Sequence, residues 1–250
     1  MTWMQKITVI TVARNVCQAL RQTMDSVLQQ DYENVEYIVV DGASTDGTVS
    51  MLESVDCPYL KWISEPDSGI YNAMNKAIGM ATGEYVIFMN AGDLFAGDDV
   101  LSRVFEKPEQ ADIIYGHVEK KDKQGVWQVK KAEQPHNSHR MFFCHQSCFV
   151  RRELLQRYCF DERYRYSADF KLIKTLFLAG HTFVLKDVVV ARFDTNGVSN
   201  TRRSEGLADN IKVVRDVDNM KERLRLLPRL YFVYLMCRWR ERNRNNKNDK

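Results

Sequence analysis

An α/β fold with a mostly parallel central sheet and helices on both faces is what the order of elements in this sequence predicts. Three observations carry that expectation. Short runs rich in β-branched residues alternate with amphipathic helical stretches through about the first 110 residues. Successive parallel strands need a helix to return the chain in the same direction. Each of the four runs also ends in a cluster of polar and glycine residues, as strand-to-helix turns do.

Taken in order, Ile7 to Val12 reads as a strand, and Val16 to Gln30 as a helix with Leu20, Met24, Val27 and Leu28 on one face. Val35 to Val40 is the second strand; Ser44 and Asp46 offer a helix N-cap before Val49 to Val55. Leu60 to Ser64 precedes a helix over Ile70 to Ala81, and Tyr85 to Met89 precedes another starting near Asp98. Beyond residue 110 the pattern loosens. Asp112 to His117 is strand-like, a hairpin is expected around Asp122-Lys123-Gln124-Gly125, helices around Arg151 to Arg157 and Ala168 to Ala179, and a strand at Val188 to Phe193. This half reads as an extension of the same domain.

A chain of 250 residues with 44% hydrophobic and 28% charged residues has the composition of an ordinary globular protein, not of a disordered, fibrous or coiled-coil one. The six cysteines are scattered and the first residues lead straight into a strand, so a reducing cytoplasm is the expected compartment. No run of about 18 apolar residues occurs, and membrane contact is expected only at the surface. The net charge of +3 hides an asymmetry: residues 221–250 hold ten Lys or Arg against Glu222, Glu241 and Asp249. The rest is mildly acidic, which argues against a nucleic-acid partner.

In open α/β sheets, ligands bind outside the carboxyl ends of the strands. Those ends carry Thr11-Val12-Ala13-Arg14-Asn15, Asp41-Gly42-Ala43-Ser44-Thr45-Asp46-Gly47, Glu65-Pro66-Asp67-Ser68-Gly69 and Asn90-Ala91-Gly92-Asp93. Taken singly, each is an ordinary turn. Together they bring carboxylates to one edge, where they repel unless a cation or hydrogen-bond donors sit among them. A metal-assisted site for a phosphate-bearing ligand meets that demand. The first turn lacks the glycines of a dinucleotide-binding loop.

With TVITVARN, VVDGASTDGT, SEPDSGIYNAMNKAIGMATGEY, FMNAGD, HQSCFVRR and YSADF in this order, from about Ile7 to Val198, the chain resembles the inverting family 2 glycosyltransferases with the GT-A fold, particularly members that build bacterial surface polysaccharides. The resemblance implies a Rossmann-like GT-A domain over 1–205, with a nucleotide-sugar half to about 110 and an acceptor and catalytic half over 111–205. A basic helical extension over 206–250 follows. It puts Thr11 and Asp41 at the nucleobase and ribose, Asp67 beside the nucleotide, and Ala13, Asn15, Asn90 and Ala91 among the donor contacts. Asp93 falls at a Mg²⁺ or Mn²⁺ ion that holds the diphosphate, and Asp169 becomes the general base. The family often has two or three acidic residues in the metal motif where this chain has Asn90 and Gly92, so low metal affinity is expected until the diphosphate binds.

His145 reads either as a contact to diphosphate or acceptor or as a packing residue with a hydrogen-bonded ring. Over 223–244, aromatic and aliphatic residues interleave with arginines, which suits an anionic membrane surface; a helix docked on the body or in a homodimer is the alternative. Asn243 to Lys250 is expected to be disordered. The expected activity is transfer of a sugar from a nucleotide-diphosphate donor to a glycan or lipid-linked glycan. A catalytically silent nucleotide-sugar module and a nucleotidyltransferase are the alternatives.

Overall fold

The first strand, β1 (Ile7–Ala13), is buried along its whole length, and β2 (Val35–Asp41) nearly so, as expected of strands covered on both faces. The computed structural model describes residues 4–122, 124–193 and 203–248; Lys123 of the expected turn, Val198 and Lys250 lie outside the described residues. α1 (Cys17–Leu28) follows β1 and turns Leu20, Met24 and Val27 into the core. After β2 come α2 (Thr48–Glu53), β3 (Leu60–Ser64), α3 (Ile70–Met80) and β4 (Tyr85–Phe88). These strands lie parallel in the order β3-β2-β1-β4. The register sets Ala13 opposite Asp41 and Asp41 opposite Ser64, so the polar turns open at one edge.

The second half adds to the same sheet. β5 (Asp93–Phe95), α4 (Val100–Val104), β6 (Ile113–Lys121) and β7 (Trp127–Lys130) precede a 3₁₀ turn at His145–Ser147, then β8 (Cys148–Arg151) and α5 (Arg152–Tyr158). α6 (Ala168–Leu178) and β9 (Phe183–Phe193) follow. β8 enters antiparallel between β4 and β6, β9 runs parallel to β6, and β5 lies antiparallel to β9 at the end of the path. The expected hairpin is β6–β7, pairing Val118 with Lys130 through Lys121 with Trp127. The result is the mostly parallel GT-A sheet with flanking helices.

Two local expectations are corrected. Ser44 does not cap α2: it bonds to Asp41 and to the Asn15 N–H, while Asp46, one residue ahead of the cap position Gly47, accepts the Thr48 N–H at 3.2 Å. The stretch expected to be disordered from Asn243 continues as helix to Asn248.

The chain divides into two compact units. One contains the sheet (Met1–Pro135, Phe142–Phe160, His181–Thr195), with a core including Ile7, Val9, Leu20, Tyr37, Ile87 and Phe149. The other holds His136–Met141, Asp161–Gly180 and Asn196–Lys250, and in it α6 packs with α7 (Arg203–Val217) and α7 with α8 (Met220–Asn248). Within this second unit Lys174 and Asp218 form a buried ion pair at 2.9 Å. Asn137 satisfies both, donating to Asp218 and accepting from Lys174. Removing one partner of such a buried pair would leave an uncompensated charge.

At the amino ends of the strands, the buried Glu36 gathers four elements. Its carboxylate accepts from Thr8 on β1 at 2.7 Å, from Lys61 on β3 at 2.7 Å, and from the N–H and hydroxyl of Thr82 before β4 at 2.7 and 2.9 Å. Burial alone would raise its pKa, but these donors outweigh burial and hold it at about 2 against an ordinary 4.5. The carboxylate therefore contributes stability above pH 4.5 that is lost as pH falls toward 2, on the order of 3 kcal/mol. We expect Glu36→Gln to be less stable than wild type at pH 7, with the gap closing between pH 4.5 and 2. Urea midpoints measured across that range test this, and a gap independent of pH would sink it.

Candidate active site

The carboxyl edge of the parallel strands is built by turns that bond to one another. Asn15, in a left-handed conformation (φ 53°), donates its N–H to Ser44 Oγ at 2.7 Å and accepts the Thr45 N–H on its side chain at 2.8 Å. The Cys17 N–H at the start of α1 bonds to Asp46 at 2.9 Å, a carboxylate at a helix N-terminus. Asp41 is fully buried; its carboxylate takes the Ser44 N–H at 2.9 Å, the Ser44 hydroxyl, and the Ser64 hydroxyl at 2.6 Å. The turns after β1, β2 and β3 are thus joined through Asp41 and Ser44.

Asp67 sits half-buried beside this junction. One oxygen accepts the Gly69 N–H at 2.9 Å, and the other lies where a side chain on Gly42 would have to stand. Gly42 lets Asp67 and Arg14 close over the end of β2, with the Arg14 side chain 3.2 Å from that same point.

The Asn90-Ala91-Gly92-Asp93 turn is fixed from α1. The buried Thr23 hydroxyl accepts the Gly92 N–H at 2.9 Å and donates to the Asp93 carbonyl at 2.9 Å. Gly92 has φ 100°, a conformation that glycine adopts without strain. Asp93 is half-buried and its carboxylate accepts a bond from the Gln146 side chain. Burial dominates, pushing the carboxyl up to about 7 although Gln146 and the Asn90 backbone act against it. The Asn90 amide nitrogen lies 3.4 Å from His145 Nε2, while Asn90 Oδ1 is buried with no hydrogen-bond partner among the described residues. A half-buried carboxyl and an orphaned buried carbonyl oxygen in one turn fit a hard divalent cation, which takes oxygen donors and supplies the missing charge. Among the described residues no group of three or more His, Cys, Asp or Glu is placed to hold a metal without help from a ligand.

Of the residues named from the sequence, Asn15, Asp67, Asn90, Ala91, Asp93 and His145 lie on these connected turns and are exposed or half-buried. Thr11 departs from its expected place at the nucleobase: its hydroxyl is fully buried, bonded to Tyr37 at 2.9 Å and donating to the Met89 carbonyl at 2.7 Å. Ala13 is buried at the end of β1, its carbonyl accepting the Gly42 N–H at 2.8 Å. Asp169 belongs to the second unit, half-buried in the first turn of α6. The Tyr166-Ser167 stretch before it is fixed to α7: the Tyr166 N–H bonds to Asp209 at 2.9 Å, and Ser167 donates to the Gly206 carbonyl at 3.2 Å. Sequence reasoning left out Gln146 and Thr23. Gln146 was signalled by the HQS motif that also holds His145; Thr23 had no signal beyond helical periodicity.

The glycosyl transferase family 2 model matches residues 8–174. The chain belongs to glycosyltransferase family 2. Among family relatives, a PGL/p-HBAD biosynthesis glycosyltransferase of Mycobacterium bovis is 30% identical over 77% of this chain and 78% of its own length. An uncharacterized glycosyltransferase of Mycobacterium tuberculosis is 38% identical over 42% of this chain, a match that spans only 41% of that relative. The fold is shared with a mannosyltransferase from Pyrobaculum calidifontis solved with GDP-Man and Mn²⁺, at TM-score 0.68 and 22% identity, covering 88% of this chain and 67% of that one. It is shared also with Staphylococcus aureus TarS solved with UDP, at TM-score 0.64 and 19% identity, covering 86% and 67%.

In this family 2 chain, Thr23→Val keeps the shape of the side chain but leaves the Gly92 N–H and Asp93 carbonyl unpaired. We expect a stability loss of about 1–3 kcal/mol in urea denaturation. A loss within the noise of the wild-type measurement would mean that the turn is held by other contacts.

Proposed function

We propose that the chain is an inverting glycosyltransferase that moves a sugar from a nucleoside-diphosphate donor to a glycan or lipid-linked glycan acceptor in the cytoplasm. The observation that carries the reading is the joined carboxyl edge, where Asn90, Asp93 and Gln146 meet beside the linked turns of β1 to β3. Family membership supports it, as do the fold neighbours solved with GDP-Man and Mn²⁺ or with UDP.

On this reading Asn15, Asp41, Asp67 and Ala13 mark the nucleoside end of the donor, with Asn90, Ala91 and His145 toward the diphosphate. Thr11 supports that edge from within. Asp93 and the Asn90 carbonyl would hold a Mg²⁺ or Mn²⁺ ion, which when bound would stabilise negative charge on the leaving diphosphate. Gln146 orients the Asp93 carboxylate. Asp169 accepts the proton of the attacking hydroxyl as its oxygen bonds to the anomeric carbon. The bond from that carbon to the diphosphate breaks on the opposite side, its electron pair leaving with the nucleotide, and the configuration inverts.

Asp93→Ala removes the carboxylate of a turn whose other residues, Asn90, Ala91 and Gly92, cannot replace it. Metal-dependent donor binding is expected to weaken by at least roughly tenfold, with most turnover lost and the fold intact. Calorimetric titration of donor with and without Mn²⁺ reads this out, and wild-type turnover at saturating Mn²⁺ and Mg²⁺ would refute the metal assignment.

Asp169→Asn keeps size and most hydrogen bonding but cannot take up a proton at neutral pH. Donor affinity should stay near wild type while single-turnover transfer falls by roughly 10²–10⁴-fold. Were the residue only a favourable charge in the first turn of α6, turnover would hold and stability would drop by about 0.3–1 kcal/mol.

A further inference from the structure

Helix α8 carries two apolar stripes on opposite sides, and only one of them is covered. Leu226 and Leu230 are buried, and Val233 and Cys237 are half-buried on the same face, where α8 packs with α7. Leu224, Pro228, Phe232, Leu235 and Trp239 recur at spacings of three and four residues, which puts them in one line along the helix. Leu224 is 71% exposed, Phe232 66%, Leu235 62% and Trp239 60%. At one end the stripe runs into an open, mostly apolar groove of about 500 Å³ lined by Leu224, Leu227 and Pro228, with Arg215 and Arg223 in its walls.

The charge around the stripe has one sign. The 3.6-residue turn places Arg229 along one side and Arg238 along the other, with Lys221 and Arg242 near its two ends, while Arg225 is taken up by Glu222. The two acidic residues between 220 and 243 are engaged elsewhere: Glu222 with Arg225 and Asn137, and Glu241 with the Ser204 N–H.

We infer that this face of α8 docks on an anionic lipid bilayer, its apolar stripe entering the headgroup layer while the flanking arginines pair with lipid phosphates. Aromatic and leucine side chains on one face with cations beside them are what an interfacial helix presents to such a surface. Charge complementarity selects lipid over a second copy of the chain: a two-fold contact through this stripe would bring each row of arginines against an identical one. The inference stands apart from the transfer reaction, so failure of either leaves the other intact.

The test is co-sedimentation of the full chain with phosphatidylcholine vesicles and with vesicles in which about one lipid in three is phosphatidylglycerol. Binding is expected to the anionic vesicles alone, weakening as salt is raised and the Debye length shrinks. Phe232→Ser with Leu235→Ser and Trp239→Ser should lower that binding at least tenfold with an unchanged thermal transition, because these side chains are exposed in the folded chain. Arg229→Gln with Arg238→Gln should weaken it several-fold, and serves as the deciding variant if the first fails to fold. Trp127→Ser, at an exposed tryptophan in the sheet unit, should bind like wild type. The inference is overturned by a wild type that ignores anionic vesicles or binds neutral ones equally, by face variants that bind as wild type does, or by a lipid-independent dimer that the face variants dissociate.

Discussion

The carboxylate of Asp41 is the point from which the carboxyl edge of the sheet is organised. It ends β2, is withdrawn from water, and has its oxygens taken by the Ser44 N–H and hydroxyl and the Ser64 hydroxyl. A carboxyl group buried this way is tolerated only with hydrogen-bond donors around it, so the turn after β2 must curl back and the end of β3 must stay in register. Ser44 passes the constraint on to Asn15 and so to the turn after β1. The shape of this edge follows from satisfying one buried carboxyl group.

The fourth turn is governed differently. Thr23 holds its backbone from α1, while its side chains meet Gln146 and His145. There the bonding is incomplete, with an unpartnered Asn90 carbonyl oxygen and an Asp93 carboxyl pushed upward by burial. Unfilled bonding capacity amid otherwise satisfied turns is the mark of a place where a ligand completes the structure.

Much of this was legible in the sequence because the parallel strands are continuous β-branched runs separated by periodic helices, and both signals are local. Asn15, Asp67, Asn90 and Asp93 stand at strand ends, where ligands collect in such sheets, but their separate places at donor and metal came from the family resemblance and not from the topology. β5 and β8 were not legible: Asp93–Phe95 is three residues long and pairs with Phe193, a hundred residues away, and β8 is recognisable only once β4 and β6 stand on either side of it. Thr11 shows the limit of reading side chains from motifs. Its position at the end of a strand is right, but strand alternation turns its hydroxyl inward to Tyr37. Pro228, which has no N–H to give, lies inside α8, with Leu226 and Leu230 buried on either side of it.

The two edges of the sheet divide their duties, and this bears on how the protein can change over time. Glu36, at the amino edge, ties β1, β2, β3 and the approach to β4 through bonds that involve no residue of the crevice. Substitutions at Asn15, Asp67 or Ala91 therefore leave that fastening untouched. A lineage built on this frame can rewrite the crevice turns while retaining its foldability, as can a laboratory selection.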